Sequence, residues 1–66
     1  MYATITTRAP YLGMYGAIGK EVLVEEEGNL YSVLGRHLIE VGANPISFDR
    51  NFTYMFRKHE LDNIHD

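Results

Sequence analysis

The sequence predicts a small, mainly β domain, and three observations carry that prediction. Segments 2–7 and 52–57 are rich in β-branched and aromatic residues, and each alternates between two kinds of side chain. Glycine-containing dipeptides typical of tight turns divide the apolar stretch from 20 to 41. A chain of 66 residues has room for one domain, here 1–66. We therefore expect one mainly β domain of about five strands that ends in a short helical or 3-10 turn.

The N-terminal part predicts a strand followed by a glycine-rich loop. Residues 2–7 suit a half-buried first strand because small or apolar and hydroxyl side chains alternate there. Glycine then recurs at every third position from Gly13 to Gly19. Such a density of glycine disfavours both helix and strand, so a structured loop is expected.

Two hairpins are expected in the central part of the chain. A strand over 20–27 meets the turn dipeptide Gly28-Asn29, and a second strand follows over 30–34. Gly35-Arg36 offers another two-residue turn, after which 37–41 returns as a third strand. The prediction is a three-stranded meander.

The C-terminal part predicts one more strand and a closing element. Aromatic residues at 52, 54 and 56 alternate with the non-aromatic residues Thr53, Met55 and Arg57, which favours a fourth or fifth strand ending at Arg57. Residues 58–64 fit one short helical or 3-10 turn, or a closing strand.

The register of the two hairpins predicts which side chains share a face of the meander. Pairing Glu27 with Leu30, and Leu34 with His37, gives two apolar faces. The first face carries Val22, Val24, Val33 and Leu38. The second face, which we expect to bind a partner protein or a second copy of the chain, carries Leu23, Leu30, Leu34, Ile39 and Val41. So short a chain can hardly build a core on both sides, so either the sheet curls or a second copy or another protein covers one face.

No residue pattern in the sequence points to catalysis or to a bound cofactor. The chain has no cysteine, and neither Ser32 nor Ser47 lies in a nucleophile elbow. The dipeptide Gly19-Lys20 departs from the phosphate-loop pattern at two positions, and no histidine pair has the spacing of a helical metal site. We expect a protein that is not an enzyme and that holds no metal or cofactor.

Charge and aromatic content bear on the class of partner. The formal net charge of −3 argues against a general nucleic-acid binder. An alternative surface for a nucleotide or an oligonucleotide would use Tyr11, Tyr15, Arg57 and Lys58. The competing interpretation is that most of the eight aromatic residues form the core.

The layout resembles a small SH3-like barrel of the kind found in short phage and bacterial proteins. The resemblance rests on the strand Gly19-Lys20-Glu21-Val22-Leu23-Val24, on the two hairpins, and on the closing stretch Phe56-Arg57-Lys58-His59-Glu60-Leu61. It implies a phage-encoded or accessory bacterial protein. Together with the two apolar faces, it leads us to expect a module that binds and modulates a larger host protein and also self-associates. We expect a cytoplasmic protein without membrane association, since no leader pattern or long apolar run is present.

Overall fold

The computed structural model describes residues 1–66 and shows two three-stranded antiparallel sheets. The strands are β1 (Tyr2–Ile5), β2 (Glu21–Leu23), β3 (Glu25–Glu27), β4 (Leu30–Leu34), β5 (Thr53–Arg57) and β6 (Leu61–His65). One helix, α1 (Gly35–Glu40), and two 3-10 turns, Tyr15–Ala17 and Lys58–Glu60, complete the elements. The first sheet has the order β2-β1-β6 and the second β3-β4-β5. The chain is mainly β as predicted, and no hydrogen-bonded ladder closes the two sheets into a barrel.

The two sheets are linked at Val24, which separates β2 from β3 and is 1% exposed. Its N–H donates to the carbonyl of Met1 at 2.8 Å, so the chain stays attached to the first sheet up to the bend. The predicted strand 20–27 therefore contributes a short strand to each sheet, which is the curling that a thin core requires.

The core lies between the two sheets and α1. Its buried apolar side chains are Ala3, Ile5, Met14, Ala17, Val22, Val24, Tyr31, Val33, Leu38, Ala43, Phe48, Phe56 and Leu61. All four residues of the first predicted face belong to this set, although Leu38 reaches it from α1 and not from a strand.

The first predicted hairpin is confirmed, and the second is wrong. Glu27 pairs with Leu30 around Gly28, whose positive φ of 63° suits the tight turn. After Leu34, however, the chain enters α1, and Gly35 donates its N–H to Phe52 O at 2.7 Å. A side chain at Gly35 would collide with the carbonyl of Asp49, so this glycine serves close packing instead of a turn.

The helical period explains the error over 37–41. Leu38 and Val41 have the i, i+3 spacing of one helix face, and Leu38 is fully buried. Ile39 and Val41, predicted on a strand of the meander, instead lie on and just after α1, where they pack half-buried against the core.

The glycine-rich loop is ordered by contact with the segment 42–47. Asn44 N donates to Gly13 O at 2.9 Å, and the backbones of Gly16 and Gly42 approach too closely for any side chain at either position. The predicted structured loop is thereby confirmed, with a 3-10 turn at its centre.

The closing segment contains both of the elements that the sequence left open. The 3-10 turn Lys58–Glu60 leads directly into β6. Glu60 fastens the turn, because its carboxylate accepts the Arg57 N–H at 2.7 Å and its carbonyl accepts the Thr6 hydroxyl at 2.7 Å. No helix in the structure has the length and apolar character needed to cross a membrane.

Candidate functional site

The outward face of the second sheet carries apolar side chains that no other element of the chain covers. Residues alternate between the core side and this outer side along each strand. The pairing places the outer side chains in rows that read Glu27, Leu30, Arg57 and then Glu25, Ser32, Met55. Leu34 and Thr53 form the next row, which Leu23 borders at the bend. We call these residues the outer face.

Side chains on the outer face become more exposed from its centre towards its margins. Leu30, Leu34 and Met55 are half-buried, whereas Leu23 has 41% of its surface exposed. Ser32 at the centre is buried and donates its hydroxyl to the carbonyl of Glu25 at 3.4 Å. The centre of the face is thus a small, buried serine that lies between half-buried leucines on β4.

Charge is divided between the two margins of the outer face. The β3 margin carries Glu25 and Glu27, and the β5 margin carries Arg57. All three side chains are exposed, and none takes part in an ion pair within the chain. An acidic margin and a basic margin therefore flank an apolar central strand.

The structure brings together part of the predicted interface. Leu23, Leu30 and Leu34 share the outer face, while Ile39 and Val41 lie with α1. Met55 belongs to the face but was not predicted. The alternation that buries Phe56 could have indicated the opposite orientation for Met55, but only the pairing of β5 with β4 places it beside Ser32.

A shallow depression at one end of the outer face adds a residue from the helix. Its lining comprises Leu23, Glu25, Ser32, Leu34, His37 and Thr53. His37 reaches this position because α1 starts directly at the end of β4. The helix thus borders the face without covering it.

The alternative ligand residues are dispersed. Tyr11 and Arg57 line one groove beside β5, but Lys58 lies in a separate depression beside Glu26. Tyr15 is 91% exposed on the glycine-rich loop. No depression in the structure gathers these four predicted residues together.

Tyr11 has a structural role at the edge of β5. Its hydroxyl donates to Met55 O at 2.6 Å and accepts from Met55 N at 3.1 Å. Its ring meets those of Phe48, Tyr54 and Phe56 edge to face, with centroid separations of 6.2, 5.4 and 5.3 Å. The aromatic side chains in this region thus pack mainly with one another, as the core interpretation predicts.

A second exposed apolar group lies on the loops. Leu12, Tyr15 and Ile46 are each more than 90% exposed and flank the contact between the glycine-rich loop and the segment 42–47. Their neighbours in sequence are uncharged from 9 to 19 and from 41 to 48.

One titratable group is shifted from its ordinary pKa. The carboxylate of Glu21 lies 2.9 Å from Nε2 of His65 and raises the pKa of that imidazole, with a further contribution from the carbonyl of Asp66. The pair spans the outer side of the first sheet and joins β2 to β6 across β1. The structure contains no cluster of three or more histidine or acidic side chains arranged to hold a metal ion.

Comparisons with protein-family models, with curated proteins and with solved structures give no match for this chain.

Proposed function

We propose that the chain is a non-enzymatic protein-binding module whose binding surface is the outer face. One observation carries the proposal: Leu23, Leu30, Leu34 and Met55 stand together on a sheet face that no other element covers. Protein interfaces commonly combine such an apolar centre with a polar rim. Glu25, Glu27, Thr53 and Arg57 supply that rim here.

The scaffold beneath the outer face supports this proposal. β4 pairs with strands on both sides, and the opposite side of the sheet is packed into the core through Val33 and Phe56. Its apolar side chains are therefore held in place before any partner arrives. A preformed surface loses less conformational entropy on binding than a mobile loop does.

The proposal includes a finer assignment of fold and setting. The two sheets, linked by the bend at Val24, form an SH3-like module in this view, and the protein is a phage-encoded or accessory bacterial one. It acts in the cytoplasm by occupying a surface on a larger host protein. The alternative of a nucleotide or oligonucleotide surface has less support, because its four residues do not share one depression.

The test uses a substitution on the central strand of the outer face and a control outside it. Leu30→Lys places a charge among the apolar side chains of the face, where desolvation opposes binding. Leu12→Lys makes the same chemical change at a side chain that is 91% exposed on the glycine-rich loop. Circular dichroism and thermal unfolding first establish that both variants fold.

Binding is then measured by titration calorimetry against the partner that cross-linking to the wild-type protein identifies. We expect Leu30→Lys to weaken binding at least tenfold and Leu12→Lys to leave it unchanged. Equal affinity of a folded Leu30→Lys variant and the wild type would refute the outer face as the binding surface.

A further inference from the structure

The geometry of the outer face points to a specific partner, and we propose that a second copy of the chain occupies it. The two copies are related by a twofold axis that runs parallel to β4. This inference rests on the proposed function, because it names a partner of the same surface; dissociation of the reversible dimer frees that surface for the larger host protein. Its basis is the distribution of charge across the three strands, taken together with the small residue at the centre.

The charge pattern is complementary to itself in this arrangement. A rotation of 180° about an axis along β4 places β3 of one copy over β5 of the other and keeps each row at its own height. Glu27 and Arg57 occupy opposite ends of the same row, with Leu30 between them. Glu27 of each copy therefore faces Arg57 of the other, and the dimer gains two equivalent ion pairs at its margins.

The other simple twofold arrangement brings like charges together. An axis perpendicular to the strands places β3 over β3, so that Glu25 faces Glu25 of the second copy. Facing like charges oppose association, and the basic margin is then left without an acidic partner. Charge thus selects the axis parallel to β4.

The centre of the face suits the selected axis. Leu30, Ser32 and Leu34 lie along β4, so each meets its own equivalent in the second copy. Sheets that pack face to face lie about 10 Å apart, a separation that leucine side chains from both sides fill. Ser32 is buried and small, so it leaves the two sheets free to approach at their midpoint.

The size of the face predicts a reversible dimer. A standard interface removes about 800 Å² from each partner, which is about a fifth of the 4237 Å² that this chain exposes. A standard interface also draws on about 20–30 residues a side, whereas the outer face has nine. We therefore expect a dissociation constant on the order of 10 μM instead of a permanent dimer.

The experiment exchanges the charges at the two ends of one row. Sedimentation equilibrium of the wild-type protein between about 1 μM and 1 mM brackets the expected dissociation constant. Glu27→Arg and Arg57→Glu are then studied separately and as an equimolar mixture. Each variant alone presents like charges in both marginal pairs, so we expect its dimerisation to weaken at least tenfold.

The mixture distinguishes the proposed geometry from other modes of association. One variant contributes arginine at both ends of the row and the other contributes glutamate at both ends, so both marginal pairs are complementary again. We expect a heterodimer of near wild-type affinity, which high salt weakens. Unfolding curves of each variant confirm that the monomers are intact.

Three results would overturn the inference: a wild-type protein that remains monomeric at 1 mM, single variants that dimerise as well as the wild type, or a mixture that shows no recovery. These failures differ from failure of the proposed function. A monomeric protein that binds a different partner, and loses that binding in Leu30→Lys, keeps the proposed function and excludes only the second copy. If Leu30→Lys weakens neither dimerisation nor the binding of a different partner, the outer face itself is not a binding surface.

Discussion

The two faces of the second sheet both carry apolar side chains, but one face is buried in the core and the other contacts solvent. On the inner face, Val33 and Phe56 are at most 1% exposed because the first sheet packs against them. On the outer face, Leu30 and Met55 are apolar as well, yet they keep contact with solvent. Alternation in sequence therefore identifies two apolar faces but not the one that receives a covering layer. A chain of 66 residues supplies one such layer, and the second face remains available.

The largest expected effect is a difference in stability between substitutions at two adjacent residues, Phe56 on the inner face and Met55 on the outer face. Phe56→Ala opens a cavity in the core and should cost about 3–5 kcal/mol of the free energy of unfolding, close to the total for so short a chain. Met55→Ala removes a half-buried side chain from the outer face and should cost about 1 kcal/mol. Urea denaturation followed by circular dichroism measures both. Similar losses for the two variants would contradict the assignment of inner and outer faces.

The next largest effect is expected at Gly35, where β4 ends and α1 begins. Gly35→Ala introduces a methyl group against the carbonyl of Asp49 and should cost about 1–3 kcal/mol, although alanine favours helices. Arg36→Ala, at the adjacent exposed position in α1, is the control and should change stability little. Thermal unfolding of both variants provides the comparison. A Gly35→Ala variant as stable as the wild type would mean that the close approach to Asp49 is absent in solution.

A smaller effect is expected at the boundary between the two faces. Tyr11→Phe removes the hydroxyl that serves both the N–H and the carbonyl of Met55, so the variant should lose about 1–2 kcal/mol. Tyr15→Phe makes the identical chemical change at a side chain that is 91% exposed and should have no effect. Chemical denaturation of the two variants isolates the contribution of the partly buried Tyr11 hydroxyl. Equal midpoints for the two variants would remove Tyr11 from its structural role.

The smallest effect concerns the outer side of the first sheet, where the exposed pair Glu21 and His65 joins β2 to β6. Because Glu21 raises the pKa of His65, the pair stabilises the fold below the ordinary pKa of 6.5. That stabilisation is lost as the pH rises through the higher pKa of the folded protein. Glu21→Gln should lower the pKa of His65, as measured by NMR titration of the imidazole, whereas Glu26→Gln should not. An unchanged pKa in Glu21→Gln would show that the contact does not persist in solution.

The sequence predicted the parts of the fold that depend on local chemistry. Gly28-Asn29 determines a tight turn within two residues, and the register of β3 and β4 follows from it. Gly35-Arg36 has a similar composition but a different outcome, because its surroundings come from residues about 15 positions away in sequence. Close backbone contact with Asp49 and burial of Leu38 favour a helix at this position. The dipeptide Gly35-Arg36 alone indicates neither of these contacts.

For the candidate site, too, the sequence predicted only the residues that local turn chemistry positions. Leu23, Leu30 and Leu34 follow from the first hairpin alone, whereas Ile39 and Val41 depended on the second hairpin and were misplaced with it. Met55 and Arg57 join the outer face only through the pairing of β4 with β5, which are separated by α1 and a loop. Long-range pairing of this kind is not specified by any local signal.

The hydrogen bonds of Tyr11 also affect how the protein resists aggregation. An unpaired strand edge recruits other strands, and the second sheet ends in two edges, those of β5 and β3. A phenol occupies the hydrogen-bonding groups in the middle of the β5 edge, while the β3 edge relies on the repulsion of three successive glutamates. Salt and acid weaken the second protection but leave the first intact. Of the two edges of the second sheet, β3 is therefore the one that acid or salt opens to fibril growth, because those conditions neutralise or screen its carboxylates.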